Sequence, residues 1–282
     1  MQISEAYRNL ISSLNTLYGA GEASSMARII FEDAFEIYDF SADKLLNKDQ
    51  IKTLEDISHR LLKNEPLQYI LGEADFFGLR FEVDQNVLIP RPETEELVDW
   101  ILKDIKSENR NGATILDIGT GSGCIPITLK KENPSLELYA LDLSEGAVEM
   151  ALKNALKNEV SIDISRLDIL DKNNWGAIPM LDIIVSNPPY IPFSEMELMP
   201  QNVLEFEPDM ALFVDNKEPL IFYQKIAELA LLRLNTKGLL YFETNEYNAK
   251  EVKEMLTSKG FQSIVIRKDL SGKDRMIRAG IN

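Results

Sequence analysis

The chain has 282 residues, 45% hydrophobic and 27% charged, with a formal charge of −16 at pH 7. That length holds one large and one small domain, the composition is that of a globular protein, and the acidity, shared by residues 1–85 and 86–282, argues against tight binding to a phosphate backbone. Its one cysteine, Cys124, excludes disulfides and thiolate zinc sites, and its one histidine, His59, excludes a Ser-His-Asp triad and a multi-histidine metal centre, so no metal is expected.

Residues 1–65 read as a small helical bundle. Ile3, Tyr7, Leu10, Ile11, Leu14, Leu17 and Tyr18 share one helical stripe, ended by Gly19 and Gly21. Ala27, Ile30, Phe31, Ala34, Phe35 and Tyr38 form a second. A third starts at Asn47, with Gln50 placed as in a capping box, and carries Ile51, Leu54, Ile57, Leu61 and Leu62, leaving His59 exposed. Residues 66–90 change character: Leu67 to Gly72 and Phe76 to Val83 read as short strands of a β-hairpin linker. Pro92 suits the first position of a helix to about Ile105, with Glu93, Glu95 and Glu96 at its positive end.

Residues 91–282 form the catalytic domain in this reading. Strands are expected at 114–118, 136–141, 162–168, 181–186, 238–244, 263–268 and 275–279, the last two a closing antiparallel pair. Helices fall between them, from the glycines after Ile118 to about Asn133, from the Ser144 cap to Asn158, from Glu218 to Leu234 and from Ala249 to Lys259. The result is an α/β fold, a seven-stranded Rossmann-like sheet with helices on both faces. No run approaches about 18 uninterrupted apolar residues, and Met1 to Glu5 lack the basic region of a secretory signal, so a cytoplasmic protein without a membrane span is expected.

Chemistry concentrates at strand ends. Asn187-Pro188-Pro189-Tyr190 follows the buried strand 181–186, where open α/β sheets place ligands. The prolines remove N–H donors and hold the backbone extended, leaving carbonyl acceptors beside one amide and one aromatic ring. A planar –NH₂ group fits there, with two N–H bonds to the Asn187 oxygen and the Pro188 carbonyl and Tyr190 against its face. Gly119, Gly121 and Gly123, with Thr120 and Ser122 between them, make a turn that nicotinamide, flavin and S-adenosylmethionine sites share. Asp142 suits ribose hydroxyls in any of these. Asp117, just before the glycines, suits the cationic amino-acid part of S-adenosylmethionine better than a pyrophosphate. Asp168 either meets an adenine amino group or caps the next turn, and Cys124 reads as a packing residue. Asn187 is expected to border the cofactor as well as the substrate.

Together, Asp117 to Gly123, Asp142 and Asn187 to Tyr190 resemble a class I S-adenosylmethionine-dependent N-methyltransferase. Pro66 to Gly72, Val87 to Glu95, Phe206-Glu207-Pro208 with Ala211-Leu212, and Gly272 to Arg275 narrow the resemblance to the bacterial release factor glutamine methyltransferases, the HemK-like family. Two stretches depart from its pattern. Residues 213–218 replace a glycine-rich segment, and Glu243-Thr244-Asn245-Glu246 replaces a glutamate strand that runs into glycine. The resemblance implies S-adenosylmethionine as cofactor and the glutamine of the Gly-Gly-Gln loop of class-1 peptide chain release factors as acceptor. It also implies that residues 1–65 help hold that partner. A monomer is expected, and the acidity of both halves argues against direct contact with nucleic acid. Methyltransferases of adenine or guanine amino groups carry the same tetrapeptide and form the competing reading, which calls for a basic groove. A non-catalytic cofactor-binding scaffold is a further alternative; it has no use for an intact Asn187.

Overall fold

The computed structural model describes residues 1–41 and 44–281. The chain divides into two compact units, Met1–Glu73 with Pro200–Phe206, and Ala74–Met199 with Glu207–Asn282.

In the first unit, α1 (Ile3–Ile29) kinks where Gly19 adopts φ 78° and ψ 162°, then runs on into a π turn at Ile30–Ala34. The expected end at Gly19 and Gly21 is therefore a bend at Gly19 alone. Leu10, Leu14, Ile30 and Phe31 are buried, whereas Leu17 and Tyr38, both expected on apolar stripes, are exposed. Phe31 meets Tyr7 edge-on at 5.4 Å, and Tyr7 stacks on Phe40 at 4.5 Å. Helix α2 (Lys48–Leu61) opens with the expected capping box: Asn47 Oδ1 accepts the Gln50 N–H at 2.8 Å and Gln50 Oε1 accepts the Asn47 N–H at 3.0 Å. Leu54, Ile57 and Leu61 face the core and His59 is exposed.

The strand expected at Leu67 to Gly72 is instead helix α3 (Leu67–Leu71). The Pro66 carbonyl accepts N–H bonds from Tyr69 and Ile70, and Gly72 closes the turn at φ 75°. Leu67, Ile70 and Leu71 thereby reach the bundle core at helical spacing. The turn and second strand of the hairpin lie within Phe76 to Val83, which reads as one strand. β1 (Glu73–Phe76) and β2 (Leu79–Glu82) pair across Phe77 and Gly78, whose φ angles of 52° and 75° are those of a type I′ turn.

In chain order there follow α4 (Pro92–Ser107), β3 (Thr114–Ile118), α5 (Cys124–Glu132), β4 (Glu137–Asp142), α6 (Glu145–Lys157), β5 (Asp163–Arg166), β6 (Leu181–Ser186) and β7 (Ile191–Pro192). Then come α7 (Gln201–Phe206), α8 (Asp209–Leu212), β8 (Phe213–Val214), α9 (Ile221–Arg233), β9 (Leu234–Glu243), α10 (Ala249–Ser258), β10 (Gln262–Lys268) and β11 (Asp274–Gly280). The seven-stranded sheet has the order β10-β11-β9-β6-β3-β4-β5, parallel from β9 to β5, with β11 antiparallel to both neighbours. Neighbouring residues of each central strand alternate between two cores. Leu116, Ile184, Leu240 and Phe242 pack with α9 and α10; Ile115, Ile183, Val185 and Tyr241 pack with α4 and α5. Burial on both faces is why these strands read as unbroken apolar runs.

The third strand is shorter than expected and stops at Arg166. Its one partner, β4, ends at Asp142, which pairs with Arg166, so Asp168 lies beyond the strand rather than at its tip. The parallel pair β7–β8 and the short helices α7 and α8 carry no periodicity and are absent from the sequence reading. No helix among the described residues is long and apolar enough to cross a membrane.

Candidate active site

Strand β3 pairs with β4 on one side and β6 on the other, so connections from its carboxyl edge diverge and leave a crevice. A cleft of about 240 Å³ opens there. Gly119 to Ser122, Asp142, Asp168 and Asn187 to Pro189 line it; Asp117, Gly123 and Tyr190 do not.

Each of the three glycines has a positive φ, 74°, 54° and 81° in turn. A Cβ on Gly119 or Gly121 would meet nothing within 4 Å, so these two leave open space. At Gly123 a Cβ would come 2.9 Å from Ile127 Cδ1 and 3.2 Å from Ala151 Cβ, so this glycine lets α5 and α6 approach. Gly123→Ala combines that crowding with left-handed strain and is expected to cost about 2 kcal/mol. The midpoint of urea unfolding, at unchanged m value, checks it. Asn154, fully buried on α6, braces the turn, donating to the Ser122 and Glu82 carbonyls at 2.9 Å each.

Asp117 is fully buried on β3, and neither carboxylate oxygen has a hydrogen-bond partner; the Thr120 hydroxyl likewise has none. Burial pushes the Asp117 carboxyl up to about 7, and the Asp142 charge adds to it. An orphaned carboxylate beside an open glycine turn fits a cationic ligand group. At Asp142 one oxygen accepts the Gly121 N–H and the other the Ser144 N–H, each at 2.9 Å, which holds the carboxylate in place with lone pairs to spare for hydroxyl donors. Asp168 Oδ1 accepts the Leu170 N–H at 2.8 Å, so it caps the turn. Cys124 is buried, and its thiol is pushed up to about 12, as suits a packing residue.

After β6, Ser186 donates to the Ile118 carbonyl at 2.6 Å and ties the start of the tetrapeptide to β3. Pro188 is buried; Asn187, Pro189 and Tyr190 are half-buried. Tyr190 packs on the α9 core, and burial raises its phenol above the usual range. Asn187 Nδ2 donates to Thr94 Oγ1 at 3.4 Å, and the Thr94 hydroxyl donates to Glu243 Oε2 at 2.7 Å. Arg91 Nη2 contacts both oxygens of the buried Glu207 at 2.6 Å, fixing the segment from which Pro208, Met210 and Ala211 line the cleft.

Residues 98–203 match the model of the methyltransferase small domain, and residues 5–72 that of the PrmC N-terminal domain. The chain is 42% identical over 283 residues to the release factor glutamine methyltransferase of Flavobacterium psychrophilum, covering 99% of each. With the release factor glutamine methyltransferase of Bacteroides thetaiotaomicron it shares 41% identity over 272 residues, 95% of this chain and 96% of that one. The chain belongs to the release factor glutamine methyltransferase family. A solved methyltransferase from Pyrococcus furiosus aligns with 80% of this chain and 98% of its own at a TM-score of 0.54 and 19% identity, a likeness of fold. The fold is that of class I methyltransferases, as the resemblance of the glycine turn, Asp142 and Asn187 to Tyr190 implies, and a domain of that class implies S-adenosylmethionine.

In this methyltransferase two site residues escape the sequence reading. Thr94 looks like one more polar residue in the first turn of α4, yet it is 3% exposed and bonded across the fold. Glu243 ends the apolar run of β9 as Asp142 ends that of β4, a signal the sequence carries. Burial pushes the Glu243 carboxyl up to about 7, with Thr94 and Arg275 pulling it partly back.

Proposed function

We propose that this chain transfers the methyl group of S-adenosylmethionine to the side-chain amide nitrogen of the glutamine in the Gly-Gly-Gln motif of class-1 peptide chain release factors. The observation that carries the reading is an intact Asn187-Pro188-Pro189-Tyr190 beside the glycine turn, in a chain whose full-length relatives are named release factor glutamine methyltransferases. Gly119 to Gly123 would hold the cofactor against the β3 end, Asp117 its ammonium, Asp142 its ribose, and Asp168 its adenine through the oxygen not used in the cap. The cofactor brings an electrophilic methyl group.

An amide nitrogen is a weak nucleophile because its lone pair is delocalised, so the protein's task is placement in line at roughly 3–3.5 Å. Asn187 Oδ1 and the Pro188 carbonyl accept the two N–H bonds of the substrate amide and stabilise positive charge as it grows on nitrogen. Tyr190 flanks the amide plane, and Pro189 keeps the backbone from turning. Loss of one N–H proton to water completes the neutral methylamide. Residues 1–65 help seat the release factor, whose basic ribosome-facing surface complements the acidity of this chain, and the reaction belongs to the cytoplasm where termination occurs.

The test is transfer of label from S-adenosylmethionine to a purified release factor and to its Gly-Gly-Gln→Gly-Gly-Ala variant. Label on the first and none on the second is the expected result. Label on both, or on RNA or DNA in place of either, would overturn the reading.

A further inference from the structure

Glu243 is a buried carboxyl that the reaction as described does not use. It is joined to Asn187 through a single hydroxyl. Thr94 has one proton to give. An ionised carboxylate can only accept, and at 2.7 Å from Glu243 Oε2 the Thr94 hydroxyl is committed to it. What Thr94 presents to Asn187 is therefore a lone pair, which takes the Nδ2–H at 3.4 Å. An Asn187 amide turned over would set its oxygen against that lone pair and lose the bond. The orientation of the amide is thus decided outside the tetrapeptide, by a residue on α4 and another at the end of β9.

We propose that Thr94 and Glu243 are positioning residues for methyl transfer: the carboxylate accepts the Thr94 O–H hydrogen bond, the hydroxyl oxygen accepts one from an Asn187 N–H, and this chain points Asn187 Oδ1 at the acceptor amide. The proposal rests on the reading of Asn187 as the acceptor of a substrate N–H. A protonated Glu243 reverses the sense of the chain, because it can donate to Thr94, which can then donate to Asn187 Oδ1 and invite the amide to flip. The charged and titratable groups around Glu243 are Arg91 and Glu93 at the start of α4, Arg275 on β11, Tyr190 after β6 and Cys124 on α5, while the Tyr223 hydroxyl on α9 donates to its backbone carbonyl at 3.1 Å. The two arginines favour the carboxylate and Glu93 opposes it.

The experiment measures single-turnover methylation of a release factor at saturating S-adenosylmethionine from pH 5.5 to 8.5, with cofactor affinity and thermal melting recorded for each full-length variant. Saturation keeps the titration of Asp117 out of the profile. Thr94→Val is expected to lower the transfer rate roughly 10- to 100-fold with cofactor affinity within about twofold, and Thr94→Ser to restore most of it. The wild-type rate is expected to fall as pH drops through about 7, and Glu243→Gln to be slow and to lose that limb. If Thr94→Val does not fold, the comparison of the wild-type and Glu243→Gln profiles decides. Wild-type turnover in Thr94→Val, equal losses of turnover and cofactor affinity, or an unchanged acid limb in Glu243→Gln would each overturn the proposal. A wild-type enzyme that methylates no release factor overturns the underlying reading instead.

Discussion

Replacing Asn187 with alanine is expected to lower turnover by about 10²- to 10³-fold while leaving S-adenosylmethionine affinity within about threefold. The side chain makes one long hydrogen bond, to Thr94, and is half-buried, so its removal should cost the fold under about 1 kcal/mol. The cofactor's assigned partners, Asp117, the glycine turn and Asp142, are braced by bonds that do not involve Asn187: the Gly121 and Ser144 N–H groups on Asp142, and Asn154 on Ser122. What the variant lacks is the acceptor that orients the amide and meets the charge appearing on nitrogen, an interaction stronger in the transition state than in the ground state. Its loss should therefore appear in kcat more than in binding. Titration calorimetry with the cofactor, beside single-turnover transfer to a release factor, checks the division. Parallel losses in both would assign Asn187 to cofactor binding.

The parts of the site legible in the sequence are those that local physics dictates. β3 and β6 announce themselves as apolar runs because both faces are buried, and their ends can be read as ligand positions because the sheet is parallel there. Gly119, Gly121 and Gly123 can be read because three closely spaced glycines at a strand end signal a left-handed turn, and all three have positive φ. Leu67 to Leu71 is too short an apolar run to declare its period, and only the Pro66 carbonyl and the left-handed Gly72 reveal a helix. The hairpin turn hides because Phe77, a bulky residue, occupies a positive φ that marks Asn or Gly elsewhere. Thr94 is of another kind. Its two partners lie 93 and 149 residues away in the chain, and no local signal foretells a contact made by the closing of the sheet.

Asp117→Asn should separate function from stability, raising one as it lowers the other. The Asp117 carboxyl is fully buried without a hydrogen-bond partner, and burial lifts it from the ordinary value of 3.8 to about 7. Between those two values the folded chain holds a proton that the unfolded chain has released, so stability falls as pH rises, in full measure above pH 7. The buried carboxylate thus costs the unliganded protein a few kcal/mol at pH 8 and almost nothing below pH 4. Asparagine has nearly the same shape and no charge. The unliganded variant is therefore expected to melt higher than wild type at pH 8, by about 3–8 °C, with the gap shrinking towards pH 5. Its affinity for S-adenosylmethionine should drop roughly 10- to 100-fold, because the negative charge assigned to the cofactor's ammonium is gone. Saturating cofactor should then narrow or reverse the difference in melting, since ligand stabilises the protein that binds it more tightly. Melting curves at pH 5 and pH 8, with and without cofactor, contain the whole test. A variant less stable than wild type at pH 8, or one that binds the cofactor equally well, would mean that Asp117 is a structural carboxylate serving the turn and not a ligand for a cation.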